Sequence, residues 1–170
     1  CVSDPGIVDL YESLLPILII DTYGQEIPDE PKIDASLQLI YNGPNMVNYI
    51  SDNPNNYDGL IGIERRGASS FYYNQRPYLF ETRNDLGENN NVSLIDFPEE
   101  NDWILISNYN DKVLMRNLLA NHLFEKMGQY SPRNILCEVL LNENYQGIYV
   151  LSEKIKIDNN RVDIAALDSD

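Results

Sequence analysis

The most constraining feature of the sequence is the stretch "RNILCEVLLNENYQGIYVLSEKIKI", which runs from Arg133 to Ile157. Residues that favour strands alternate on both sides of "NENYQG", and two such runs around an Asn- and Gly-containing turn are the signature of a β-hairpin. Cys137 lies among apolar residues of the first run, so we predict that it is a small core residue. The chain must therefore fold around a long antiparallel pair of strands.

Five shorter strands, one last short strand within "NNRVDIAALDSD" and one helix complete the predicted elements. Strand patterns occur in "LLPILIIDTYGQEIP", "PKIDASLQLIYNG", "YDGLIGIERRG", "RPYLFETRND" and "WILISN". The segment "NDKVLMRNLLANHLFEKMG" carries apolar residues at spacings of three and four, with Asn110 or Asp111 as its N-cap and Gly128 at its end. We therefore predict an α+β fold, in which one main helix packs on a face of an antiparallel β-sheet.

The length and charge of the chain limit what it can bind. The 170 residues suit one domain or one lobe of a larger protein. A net charge of −15 argues against general binding to nucleic acid or to anionic membranes, because no broad basic surface is available. The longest apolar run, "LLPILII", is much shorter than the roughly 20 residues of a membrane-spanning helix, so we expect no transmembrane helix.

Positive charge is concentrated in "IERRGASSFYYNQRPYLFETRND", residues 63–85, which holds four arginines in a chain with 27 acidic and 12 basic residues. Guanidinium groups, together with the hydroxyls and amides of a small-residue turn, are suitable phosphate ligands. The candidate phosphate-binding residues are therefore Arg65, Arg66 and Arg76, with the hydroxyls of Ser69 and Ser70. The alternative is that these arginines are solvated and pair with surface carboxylates, which the chain has in excess.

Two charged residues outside this stretch are further candidates. Glu153 ends an apolar strand pattern, where a buried carboxylate requires a partner, and the predicted partner is Arg66 or Arg116. Arg116 lies one position from the apolar stripe of the helix. It either reaches the cleft between sheet and helix or forms a structural bridge to Glu138 or Glu153. His122 is the only histidine, and we interpret it as a half-buried packing residue.

The beginning of the chain has two interpretations. Cys1 followed by the polar "VSDPG" is typical of a bacterial lipoprotein after signal-peptide cleavage, with a lipid on the thiol. Alternatively, the numbering starts at an arbitrary boundary. We divide the chain into an N-terminal tail, residues 1–13, which is a lipoprotein linker in the first interpretation, a globular unit, residues 14–164, and an acidic end, residues 165–170.

Three stretches taken together resemble the spore-coat protein H family, the CotH kinase-like proteins. They are "RGASS…RPYLFETR", "FPEENDWILISNYNDKVLMRNLLANHL" and "SPRNILCEVLLNENYQGIYVLSEKIKIDNNRVDI", and the resemblance extends from about Leu14 to Ile164. It implies the amino-terminal lobe of an atypical protein kinase that is secreted or surface-associated. Such a protein uses ATP and Mg²⁺ or Mn²⁺ to phosphorylate serines of extracytoplasmic proteins.

The resemblance also implies positions for individual residues. Glu153 is expected beside the adenine, and the helix that carries Arg116 is expected behind the nucleotide pocket. The metal-binding aspartates and the catalytic loop belong to a carboxy-terminal lobe, which we expect after Asp170. On this expectation, the 170 residues alone are incomplete as an enzyme.

Two departures from the family pattern bear on activity. Gln75-Arg76 replaces the Lys-Lys pair that similar proteins usually carry, and arginine does not provide the compact charge that a kinase lysine supplies to phosphates. His122 stands where relatives often have a glutamate that pairs with such a lysine. The sequence therefore leaves two functions open, an active kinase and a non-catalytic, pseudokinase-like binding or structural module at the cell surface.

Overall fold

A computed structural model describes residues 10–164 of the protein. Cys1, the rest of segment 1–9 and the acidic end, residues 165–170, lie outside the described residues, as do the side chains of Ser69 and Phe71. Within residues 10–164 there are nine strands, one 3₁₀ turn and one α-helix. The strands are β1 (Glu12–Ser13), β2 (Ile17–Asp21), β3 (Ile33–Ile40), β4 (Asn48–Tyr49), β5 (Tyr57–Arg65), β6 (Tyr78–Arg83), β7 (Asp102–Ser107), β8 (Asn134–Leu141) and β9 (Asn144–Glu153).

Seven of these strands form a closed barrel in the order β2-β3-β5-β6-β7-β9-β8. All neighbours are antiparallel except β2 and β8, which close the barrel as a parallel pair, with Ile17 opposite Glu138. The short strands β1 and β4 pair separately. The predicted α+β fold, an open antiparallel sheet with a packed helix as in a kinase amino-terminal lobe, is therefore wrong. The alternation of apolar residues indicates which face of each strand is buried. It carries no information on the parallel pairing of β2 with β8 that closes the barrel.

The helix α1 spans Arg116–Lys126 and none of its residues is buried. Its apolar side chains Leu119 and Leu123 are 57% and 54% exposed. It also begins later than predicted, because Leu114 adopts a left-handed conformation with φ of 60°. The predicted N-cap at Asn110 or Asp111 is wrong, because Met115 is the N-cap. The carboxylate of Asp111 nevertheless accepts the backbone N–H of Arg116 at 3.0 Å. No helix within residues 10–164 is long and apolar enough to cross a membrane.

The core is the interior of the barrel. Strand residues alternate between this interior and the outer surface, as in any small barrel whose lumen is filled by side chains. Trp103, Tyr149, Phe80 and Leu37 are the largest or most central of the inward-facing residues and are fully buried. Cys137 is also fully buried, which confirms its predicted place in the core.

The hairpin of β8 and β9 has the predicted position and a shorter turn than "NENYQG". Asn142 and Glu143 form a two-residue turn, and both have positive φ, 49° and 64°, as a type I′ hairpin turn requires. Further from the turn, opposite Val139 and Leu140, the register shifts by one residue, because β9 contains a bulge beside Gly147. This turn and this bulge lie at the end of the barrel where β5 ends and β6 begins, which we call the mouth.

Candidate functional site

A cleft of about 260 Å³ opens at the mouth of the barrel. Its position follows from strand alternation, because Arg65 comes two residues after the fully buried Ile63 and so points toward the interior at the last position of β5. Tyr78 lies opposite Arg65 at the first position of β6. Polar side chains of the surrounding loops complete the lining: Gln25, Glu26, Asn74, Arg76, Asn142 and Gln146.

The cleft carries positive charge at its base. Burial raises the pKa of Tyr78, and the charges of Arg76 and Arg65 oppose that rise. Tyr78, Arg65 and Arg76 line the same cleft. Arg65 pairs with Glu26 at 2.5 Å, and the carboxylate of Glu26 is 81% exposed, so this pair lies at the solvent-facing edge of the cleft.

Arg66 lies next to the cleft without lining it. It is partly buried, and this burial lowers its pKa. Within residues 10–164 its side chain makes no ion pair, although its backbone N–H donates to Pro77 at 3.1 Å. A guanidinium that is partly desolvated without a carboxylate is suited to bind an anion.

The turn after Arg66 requires glycine. Gly67 has a φ of +94°, and a Cβ at this position would lie 2.2 Å from the Oγ of Ser70. The chain then forms a 3₁₀ turn over Ser69–Tyr72. The predicted phosphate turn is thus a tightly folded loop, and the Ser70 hydroxyl lies against its backbone.

The side chain of Gln75 connects this loop to β9. Its Nε2 donates to the carbonyl oxygens of Gln146 at 3.3 Å and Ile148 at 2.9 Å, on either side of the bulge. A Cβ on Gly147 would lie only 3.3 Å from the same nitrogen, so glycine allows the close approach. Gln75 therefore has a positioning role in the loop that carries Arg76.

The structure does not bring all of the predicted site residues together. Arg76 lines the mouth and Arg66 lies beside it, but Arg116 is 74% exposed and pairs with Asp111 at 3.5 Å. Glu153 lies at the opposite end of the barrel and is 1% exposed. The predicted pairing of Glu153 with Arg66 or Arg116 is wrong.

Glu153 instead binds two other arginines. Its Oε1 accepts Nη1 of Arg161 at 2.6 Å and Nη1 of Arg133 at 2.9 Å. The sequence analysis does not predict Arg161 as the partner of Glu153, although a buried carboxylate requires a cation such as arginine. Glu138 accepts hydroxyl hydrogen bonds from Ser13 and Tyr145 and makes no contact with Arg116, so that predicted bridge is also wrong.

His122 is exposed, so the predicted half-buried packing role is wrong. It lines a different cleft, with Ser131 and Arg133, and the structure does not join it to Gln75. In the part of the chain that is described, no group of three or more His, Cys, Asp or Glu side chains is arranged to hold a metal ion.

Comparison with known protein families gives a match. The family model described as CotH kinase protein matches residues 63–170, well over half of the chain. This span begins in β5 and includes both the arginine-bearing loop and the long hairpin. A search of curated proteins finds no match to the chain.

Proposed function

The chain belongs to the CotH kinase protein family, and from this premise we propose that the mouth of its barrel binds the phosphates of ATP. The observation that carries the proposal is the set of arginines at the mouth of a chain with a net charge of −15. Arg66 is partly buried there and makes no ion pair within residues 10–164. An anionic ligand would compensate the cost of that burial.

The residues present fit a phosphate group. Arg76 and Arg65 line a cleft whose volume of about 260 Å³ admits phosphate groups, and planar guanidinium forks match phosphate oxygens. The tight turn at Gly67 brings backbone N–H groups close to the same end of the barrel. Mg²⁺ or Mn²⁺, when bound with ATP, would neutralise part of the phosphate charge.

We further propose that the protein transfers phosphate to serines of extracytoplasmic proteins, as a secreted or surface protein held by a lipid on Cys1. Family membership and the arginine-bearing mouth support this function. Incubation with radiolabelled ATP, Mg²⁺ or Mn²⁺ and a serine-rich secreted protein tests the transfer. Label on serine is the expected result for the full-length natural protein. If ATP binds but no serine is labelled, the proposed transfer is contradicted and the proposed ATP binding is not.

Gln75 favours a second candidate, a pseudokinase-like module that binds nucleotide or a surface partner without catalysis. Its amide is committed to two backbone carbonyls, at 2.9 and 3.3 Å, at a position where related proteins usually have lysine. In this candidate Gln75 holds the loop and supplies no charge to a reacting phosphate. Nucleotide binding without phosphotransfer is the result that distinguishes it.

A thermal-melt comparison tests the binding proposal. A ligand that binds only the folded state adds about 2.7 kcal/mol of stability at a hundredfold excess over its Kd. We expect ATP with Mg²⁺ to raise the melting temperature of the wild type, and Arg66→Ala to remove most of that increment. If Arg66→Ala lowers the unliganded melting temperature and leaves the ATP-dependent increment intact, Arg66 has a structural role and the proposal fails.

A further inference from the structure

A second cleft lies at the opposite end of the barrel from the mouth, between α1 and the segment that leads into β8. Its volume is about 210 Å³. Five of the polar residues that face it have side chains that can donate hydrogen bonds: Asn121, His122, Ser131, Arg133 and Asn134. Phe97, Leu118 and Pro132 are its apolar lining residues.

Two arginines at this end of the barrel share one carboxylate. Arg133 and Arg161 both donate through Nη1 to the same oxygen of Glu153, at 2.9 and 2.6 Å. The other oxygen of Glu153 accepts the backbone N–H of Arg133 at 2.9 Å. One carboxylate thus serves two guanidinium groups, and the second carboxylate at the cleft, that of Glu125, makes no ion pair within the described residues.

Several buried donors around Glu153 also have no partner within the described residues. They are Oγ of Ser131, which lines the cleft, Nε and Nη2 of Arg161, and Nε1 of Trp103. The guanidinium carbon of Arg161 lies 5.1 Å from the centroid of the Trp103 ring. Phe97 stacks on Trp103, with 6.2 Å between the two ring centroids. Of these donors, Ser131 lines the cleft itself, and Trp103 lies behind Phe97, which also lines it.

We propose that this cleft binds a single carboxylate group. The side chain of Arg133 is 49% exposed and, within residues 10–164, bonds only through Nη1, so its other N–H groups are available to a planar acceptor. The Ser131 hydroxyl adds a donor. Glu125 also lines the cleft, and its negative charge repels a dianionic phosphate more strongly than a monoanionic carboxylate.

The carboxylate has two sources, a small organic acid or an aspartate or glutamate side chain of a peptide. The chemistry at the cleft is the same for both. This inference does not depend on the nucleotide proposal, because the mouth and this cleft lie at opposite ends of the barrel and share no lining residue.

The test is a titration of the ¹⁵N-labelled protein, followed by amide chemical shifts, at constant ionic strength. The probes are sodium acetate, a short aspartate-containing peptide, inorganic phosphate and sodium chloride. We expect saturable shifts confined to the segment 131–134 and to α1, with acetate, with the peptide, or with both. Binding by the peptide alone identifies a peptide as the source. Equal shifts with chloride, tighter binding of phosphate, or no saturable shift with either carboxylate would overturn the proposal.

Two matched variants separate binding from folding. Ser131→Ala removes one donor without touching Glu153, and we expect it to raise the Kd for the carboxylate about tenfold, the effect of one hydrogen bond to a charged group. Ser107→Ala removes another buried hydroxyl without a partner among the described residues, at the mouth end of β7. It should leave the Kd unchanged. An equal effect of the two variants, or no effect of Ser131→Ala, would contradict the assignment.

Discussion

At the scale of single residues, Glu153 shows how a buried charge determines its surroundings. The carboxylate is 1% exposed, and a buried carboxylate is stable only when it is paired and hydrogen-bonded. Arg161, which is 4% exposed, comes back to it from the turn after β9. The cost of burial for each group is offset by the other, so the pair is coupled to the fold of the far end of the barrel.

The first prediction follows from this coupling. Arg161→Met leaves Glu153 buried with only the half-exposed Arg133, and breaking a buried pair in this way costs about 3 kcal/mol or more. Arg116→Met is the control, because Arg116 is 74% exposed and its change should stay within about 0.5 kcal/mol. Urea unfolding of both variants measures the two values. Equal effects would contradict a buried pair at Glu153.

The sequence allowed some residue environments to be predicted and not others. Cys137 and the need of Glu153 for an arginine follow from alternation along β8 and β9, because alternation determines which side chains face the core. The identity of the arginine does not follow, since Arg161 reaches Glu153 only through the path of the chain after the strand. Arg65, a candidate from the sequence, lines the cleft because it is the next inward position after Ile63 in β5.

At the scale of elements, the hairpin and the helix had opposite outcomes. The β8-β9 pair follows from local signals, alternation and an Asn-containing turn, and it forms where these signals predict. The helix α1 also forms, but its apolar stripe finds no barrel surface to cover, because the barrel fills its own interior. Local periodicity predicts that a helix exists and does not determine what it packs against.

The second prediction compares the same substitution in these two environments. Leu37→Ala removes a fully buried side chain from β3 and should cost about 2–5 kcal/mol. Leu123→Ala truncates a side chain of α1 that is 54% exposed and should cost less than about 1 kcal/mol. Chemical denaturation of both variants checks the contrast. A cost for Leu123→Ala as large as that for Leu37→Ala would mean that α1 is packed against another surface in the natural protein.

At the scale of the whole molecule, the net charge is −15, so the stability of the barrel depends on how its 12 basic residues pair with carboxylates. Lys32 binds Glu81 at 2.9 Å on the outer surface of the barrel, and Glu64 lies 3.8 Å from the same ammonium. Burial raises the pKa of Glu81, but Arg83 and Lys32 outweigh that effect and hold the pKa below its ordinary value of 4.5. The folded state therefore keeps this carboxylate ionised at a pH where the unfolded chain takes up a proton.

The third prediction uses the pH dependence that this shift produces. The stabilisation by Glu81 is fully present above about pH 4.5 and is lost as the pH falls through the lower pKa of the folded state. Lys32→Met should therefore cost about 1 kcal/mol at pH 7 and progressively less as the pH falls below 4. Urea unfolding across this range gives the values, with Lys112→Met as an exposed control. A difference between wild type and Lys32→Met that does not change with pH would contradict this account.

The most direct test of the nucleotide proposal is the affinity of the barrel mouth for phosphate groups. Isothermal titration calorimetry with ATP and Mg²⁺, and separately with adenosine, is applied to the wild type, to Arg76→Ala and to Arg116→Ala. We predict that Arg76→Ala weakens ATP binding about tenfold or more, the loss of a charge-assisted contact, with little change for adenosine. We predict that Arg116→Ala, which removes an exposed guanidinium that does not line the cleft, leaves both affinities unchanged. Equal ATP affinity of the wild type and Arg76→Ala would contradict the claim that the mouth binds the phosphates.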